Sequence, residues 1–288
     1  MTEPLGSYLS VDLEDSKHAM MRELGLPPLC ATDQTRRGVD LLLDALEGVD
    51  GSSKLTFFST GQIGRTQRAL VSELARYGHE IGCHTDEHDN VCAMTRERLV
   101  EDLRRSRGTL QDASGQDVTG FRAPNFSMDV ADQWAFEALA ECGFRYDSSL
   151  RMSRRAVQRR QAWDHHMLPS GASLYEFPLY IRRLCGVRMS VIGGTYFRLL
   201  PIRMIFGLLT EATANGFTPL IYLHAADLFT GGPIVTWREL AGLSLLERAG
   251  WRVRQYQWTT RAHSVPDKLR AVLRRYPNLG PMRSALPS

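Results

Sequence analysis

Short runs rich in β-branched and aromatic residues recur along the chain: YLSV (8–11), KLTFFS (54–59), HEIGC (79–83), VTGFR (118–122), SLYEFPL (173–179), PLIYL (219–223) and WRVRQY (251–256). Each has the length and composition of a β-strand. Between several of them the apolar positions change to helical spacing. Over 236–250, Leu240, Leu243 and Leu246 form a stripe, Thr236 and Glu239 read as a capping box, and Gly250 as a stop. Over 201–216, Pro201 opens a helix, Ile202, Ile205, Phe206 and Leu209 share a face, and Asn215-Gly216 closes it. Residues 62–78 and 129–143 follow the same pattern. Alternation of strand and helix over this length predicts an α/β fold around a largely parallel sheet.

Composition bounds the picture without changing it. With 288 residues, 43% apolar and 23% charged, the chain can build one or two domains with a sizeable core. A net charge of +3 gives no reason to expect a nucleic-acid partner. The closest approach to a membrane span is LLPIRMIFGLLTEA (199–212), which Arg203 and Glu211 interrupt. The opening MTEPLGSYLSVD lacks the pattern of a secretory signal, and the five cysteines are odd in number with no CxxC spacing. Both features lead to the expectation of a cytoplasmic protein with reduced thiols. Two basic clusters stand out: five arginines within 151–160, and eight Lys/Arg against one Asp over 252–283. Either they are solvated surface, or they draw the protein to anionic lipid or a diphosphate-linked glycan at the inner membrane face. Peripheral contact with an anionic membrane is therefore a further expectation.

The candidate chemistry collects at the ends of the strands. SVDLED carries Asp12, Glu14 and Asp15; EIGCHTDEHDN carries His84 and His88; FRAPN carries Arg122; YLHAAD carries His224 and Asp227. Taken singly these are helix caps, surface pairs or core histidines as readily as ligands. Together they point to a site on the rim where parallel α/β barrels gather catalytic groups. Two imidazoles and a carboxylate are a common set for a catalytic divalent ion. Such an ion lowers the pKa of bound water to roughly 7. A second carboxylate can take the water's proton, an arginine can orient that base, and a further histidine can protonate a departing amine. That inventory hydrolyses an amide. Cys83 and Cys92 could instead join His84 and His88 in a structural zinc site. The alternation of side chains along a strand turns Cys83 away from His84, so a core position is the stronger expectation for Cys83.

SVDLED, GCHTDEHDN, GFRAPNFS and YLHAAD resemble the first, second, third and fifth motifs of the polysaccharide deacetylases, the chitooligosaccharide-deacetylase-like carbohydrate esterases. FRYDSSL (144–150), EFPL (176–179) and GGTYFRLLP (193–201) further resemble a bacterial branch associated with exopolysaccharide production. The resemblance runs from about residue 8 to about residue 258. It implies a distorted (β/α) barrel with fewer than eight strands, a divalent metal, usually zinc, and removal of N-acetyl groups from amino sugars. Carried over by position, Asp12 is the general base, His84 and His88 are metal ligands, Arg122 orients the base and His224 is the general acid. Pro124 and the backbone N–H of Asn125 form the oxyanion and substrate wall. The chain departs from the family at three points. Leu13 separates Asp12 from Glu14, which favours Glu14 as the carboxylate ligand and leaves Asp15 as its competitor. Asn125 replaces an aromatic residue. No tryptophan clearly matches the fourth motif, with Trp163 and Phe177 as candidates. The resulting expectation is a single barrel domain over residues 1–262, followed by a basic C-terminal extension over 263–288. Its expected partner is an N-acetylated glycan of a surface polysaccharide or its precursor. Hydrolysis of a small non-carbohydrate amide and non-catalytic glycan binding are the alternatives.

Overall fold

The computed structural model describes residues 6–30, 32–49, 54–152, 166–184, 187–189 and 192–287. Strands form at Tyr8–Leu13 (β1), Thr56–Ser59 (β2), Glu80–Cys83 (β3), Gly120–Phe121 (β4), Tyr146–Asp147 (β5), Ser173–Glu176 (β6) and Leu220–His224 (β7). They pair in the order β7-β1-β2-β3-β4-β5-β6, all seven parallel, and the short strand His166–Met167 adds antiparallel to the outer edge of β6. The sheet curls into a half-barrel within a single domain, in agreement with the distorted barrel that the motifs imply. Strands β2 and β3 are buried throughout, as expected of parallel strands covered on both faces.

Helices cover the outside: Ser16–Glu23 (α1), Thr32–Leu46 (α2), Gly61–Thr66 (α3), Arg68–Arg76 (α4), Arg96–Ser114 (α5), Gln133–Glu141 (α6), Gly194–Leu199 (α7), Ile202–Ala214 (α8), Leu245–Thr259 (α9) and Val265–Arg275 (α10). Helix α8 follows its sequence pattern. Ile205 and Leu209 are buried, Ile202 and Phe206 pack against the same core, and the helix stops at Asn215-Gly216. Helix α2 approaches the turn after β7 so closely that a Cβ on Gly38 would lie 2.1 Å from the carbonyl oxygen of Ala225. Only glycine admits this packing. None of the described helices is long and apolar enough to cross a membrane.

Two expectations give way here. WRVRQY is helical, not a strand, and the helix predicted for 236–250 is a set of turns up to Gly242. Thr236 and Glu239 do exchange their capping hydrogen bonds. A second capping box, Ser244 with Glu247, then starts α9 eight residues later and carries it through Gly250 to Thr259. The helical spacing of Trp251, Gln255 and Trp258 wins over the strand-like composition of the run holding Trp251, Val253 and Tyr256. The second correction concerns the extension expected over 263–288, whose described residues, 263–287, do not lie outside the barrel. Val265, Leu269, Val272 and Leu273 of α10 are fully buried in the main core, together with Tyr276. Ser7 bridges Asn278, and the Asn278 side chain bonds Leu9 N and Lys54 O. The arginines there sit on the outer side of an amphipathic helix, so the charge total concealed an apolar stripe.

Candidate active site

The strand register fixes which residues share the rim. Asp12 stands opposite His224, Leu13 opposite Ser59, Ser59 opposite Cys83, and Cys83 opposite Phe121. The residues just beyond these levels, Glu14, His84 and Arg122, therefore emerge at one end of the sheet. One ligand atom each from Glu14, His84 and His88 lies within 4.8 Å of the others, the one such grouping among the described residues. His84 is buried, and its Nδ1 bonds the Arg122 carbonyl at 2.8 Å. A carbonyl only accepts, so Nδ1 carries the proton and Nε2 presents a lone pair. Burial lowers the His84 pKa to about 4, which keeps the ring neutral. Burial also opposes charge on His88, but the adjacent Glu14 carboxylate holds that ring above its usual pKa. In turn, His88 holds Glu14 below the usual carboxylate range against the opposing effect of burial. Glu14 Oε2 is buried and in ion-pair contact with His88 Nε2, yet accepts no hydrogen bond. A carboxylate and two imidazoles so crowded, with a carboxylate oxygen left without a donor, fit a divalent cation of the zinc type.

Asp15 lies outside this cluster. Its side chain caps α1, accepting from the N–H groups of Lys17 and His18 at 3.1 and 3.0 Å. The geometry thus gathers Glu14 and not its competitor. The remaining acids of the histidine loop are engaged in holding it. Asp86 pairs with Arg65 and Arg105, Glu87 with His18 and Arg65, and Asp89 with Arg22 and Arg98. Gly61 N and Gln62 N, at the start of α3, bond the carbonyls of Thr85 and Asp86. These ties hold Thr85 and His88 in left-handed backbone at φ 60° and 66°, a conformation costly for residues with a Cβ. Cys83 faces the core, 3.2 Å from Ser106 Oγ, and burial pushes its thiol up to about 12. Cys92 is exposed and no part of the cluster.

Two arginine–aspartate pairs flank the cluster. Arg122 is fully buried, stacks 4.2 Å over the Phe58 ring, and donates from Nη1 to Asp12 Oδ1 at 2.7 Å. Its other nitrogens donate to the Ser148 carbonyl and hydroxyl, at 3.2 and 2.9 Å. A guanidinium so fully bonded can hold Asp12 in only one orientation. Across the site, Asp227 Oδ2 accepts from the backbone N–H of His224 at 2.7 Å and from its ring Nδ1 at 3.1 Å. Arg198 Nε forms an ion pair with Asp227 Oδ1 at 3.1 Å. Burial works against a charged His224, but the bond to Asp227 raises its pKa to about 9. Its Nε2 lies 3.9 Å from Asp12 Oδ2, so base and acid candidates face each other across the site. A cavity of about 530 Å³ opens over them, walled among others by Glu14, His88, Asn125, Arg198, His224 and Trp258. That is within the ~300–1,000 Å³ of small-ligand sites.

Of the remaining expected residues, Pro124 is buried, while Asn125 is exposed at the cavity wall with φ 55°. Phe177 lines a different cavity beside Tyr8 and Tyr175, so it does not wall this site; Trp163 and Arg154–Arg160 lie outside the described residues. Sequence reading missed Arg198, Thr195 and Trp258, all in the cavity wall. The one signal for Arg198 was a lone cation inside the otherwise apolar GGTYFRLLP run.

Comparison with known proteins agrees with this geometry. Residues 33–146 match the family model described as polysaccharide deacetylase, and residues 148–283 match a domain of unknown function (DUF3473). Over 95 residues the chain is 33% identical to the peptidoglycan deacetylase of Helicobacter pylori, covering 33% of this chain and 31% of that protein. A candidate polysaccharide deacetylase from Mycobacterium smegmatis superposes with a TM-score of 0.53 at 19% identity, covering 94% of this chain and 92% of that one. The Puue allantoinase superposes with a TM-score of 0.52 at 16% identity, covering 94% and 91%. These two likenesses concern the fold. The matched region includes both histidines of the cluster and Arg122, so residues 33–146 are similar to the polysaccharide deacetylase family over the part of the chain that carries them.

Proposed function

We propose that the protein is a metal-dependent hydrolase that removes N-acetyl groups from amino sugars of a surface polysaccharide or its glycan precursor. The observation that carries this reading is the placement of two oriented proton-transfer groups, Asp12 held by Arg122 and His224 held by Asp227, on either side of the Glu14, His84 and His88 donor set. A divalent ion held by those three residues, zinc by the character of the donors, would lower the pKa of a bound water and polarise the acetyl carbonyl. The chain's own groups do the rest. Asp12 accepts a proton from the attacking water, and Arg122 keeps the carboxylate aimed. The backbone N–H of Asn125 is the candidate donor to the developing oxyanion. His224, protonated below about pH 9, gives its Nε2 proton to the amide nitrogen as the carbon–nitrogen bond breaks. Water and amide become acetate and a free amino sugar.

The reaction is tested by acetate release from a panel of N-acetylated amino-sugar oligomers, with small acyclic and cyclic amides alongside. Turnover of an N-acetylated sugar is the expected result. Turnover confined to the small amides would transfer the same catalytic groups to a non-carbohydrate substrate. Metal-replete protein that turns over neither would overturn the reading.

A further inference from the structure

Helix α9 carries an apolar face that none of the described residues covers. At about 100° per residue, Leu245, Leu246, Ala249, Val253 and Tyr256 fall within one arc of roughly 100°. Four of them are strongly exposed: Leu245 72%, Leu246 86%, Val253 61% and Tyr256 70%. Trp237, 43% exposed, lies under the Arg248 guanidinium, which sits 5.8 Å from its ring. The opposite side of the helix is the packed one: Gln255 is buried, and Trp251 and Trp258 rest against the Met20, Met21 and Leu240 cluster. A soluble helix exposes polar residues opposite its buried side, so the second apolar arc of this helix marks an interaction surface.

The charges around the arc decide what covers it. Arg248 and Arg252 border it, and neither is paired with a carboxylate among the described residues. The single acid of the helix, Glu247, is occupied in the capping box with Ser244. A second copy of the chain docked through this face would bring the same arginines against one another, since a two-fold interface repeats each patch on its partner. Leucine, valine, tyrosine and tryptophan bordered by arginine are instead the composition of a helix lying in a bilayer interface. We propose that the exposed face of α9 docks on an anionic lipid membrane. The other side of the same helix places Arg254 and Trp258 in the wall of the catalytic cavity, so the docked face and the cavity are separated by the thickness of this one helix. This surface goes beyond the deacetylase reading and stands or falls without it.

Co-sedimentation of the full chain with phosphatidylglycerol-containing vesicles, and with pure phosphatidylcholine vesicles, tests it directly. Binding to the anionic vesicles that weakens with salt is expected. Arg252→Glu, a reversal of charge beside the arc, should weaken it by roughly tenfold, since each basic residue near an anionic surface adds about 1 kcal/mol. Leu246→Glu with Val253→Glu should abolish it without shifting the melting curve, both side chains being in solvent. Protein that stays in the supernatant with anionic vesicles, or variants that sediment like the parent, would overturn the proposal. So would a concentration-dependent dimer in sedimentation velocity that the Leu246→Glu and Val253→Glu variant loses, because the face would then belong to a second copy.

Discussion

Glu14 and Asp15 are adjacent carboxylates doing different work, and a pair of variants separates them. Glu14→Ala removes a member of the donor cluster and should abolish tight zinc binding with little change in melting temperature. Asp15→Ala removes a helix cap and should cost about 0.5–2 kcal/mol of stability while zinc still binds. Elemental analysis beside a thermal melt reads both, and the reverse pattern would exchange the roles. The sequence narrowed the ligand to these two and no further, because an acid just before a helix looks the same as a ligand and as a cap. His224 gives a pH test. Its pKa is raised above 6.5 to about 9, so the ring is a cation at neutral pH and its acid role is lost as pH rises through that value. Asp227 is the chief source of the rise, so Asp227→Asn should move the alkaline limb of the rate profile to lower pH. A bound cation lowers the limb in both proteins and leaves their order unchanged. Equal limbs would remove Asp227 from the mechanism.

Among the elements, α2 sets the position of the turn that follows His224. Gly38→Ala would drive a methyl group into the Ala225 carbonyl, where the neighbour is backbone and cannot rotate away. Overpacking of this kind costs about 1–3 kcal/mol. Because the displaced turn carries the His224 and Asp227 pair, turnover should fall more than the melting temperature alone explains. A Gly38→Ala protein with parental stability and rate would show that the contact yields without consequence. The central strands were legible because each is a short apolar run with a polar residue at its end. Helix α9 was not: Trp251, Val253 and Tyr256 give its middle the composition of a strand, and its outer arc stays apolar where the usual pattern requires polar residues. The loop of His84 and His88 was legible as chemistry but not as architecture. Its acids carried no readable role, because the partners that engage them, such as Arg22, Arg65 and Arg105, are distant in sequence.

In the whole molecule the site draws on parts of the chain that no single stretch reveals. Asp12 and Glu14 precede the matched family region, His84, His88 and Arg122 lie in it, and His224 and Asp227 belong to the second matched region. The boundary between those regions falls inside the sheet, where β5 pairs with β6. The C-terminal residues complete the same body. Glu80 on β3 accepts from Thr56 Oγ1 at 2.7 Å, Tyr146 Oη at 3.0 Å and the backbone N–H of Arg283 at 3.1 Å, tying the chain's end beneath the barrel. That tie was invisible in a segment read by its charge. The central claim is that these parts meet to cleave an N-acetyl group with a bound metal, and one measurement tests it most directly. Protein stripped by a chelator is assayed for acetate release from N-acetylglucosamine oligomers as zinc is returned. The account predicts that stripping abolishes release and that about one equivalent of zinc per chain restores it. Full-rate release from the stripped protein, or none at any zinc level, would contradict it.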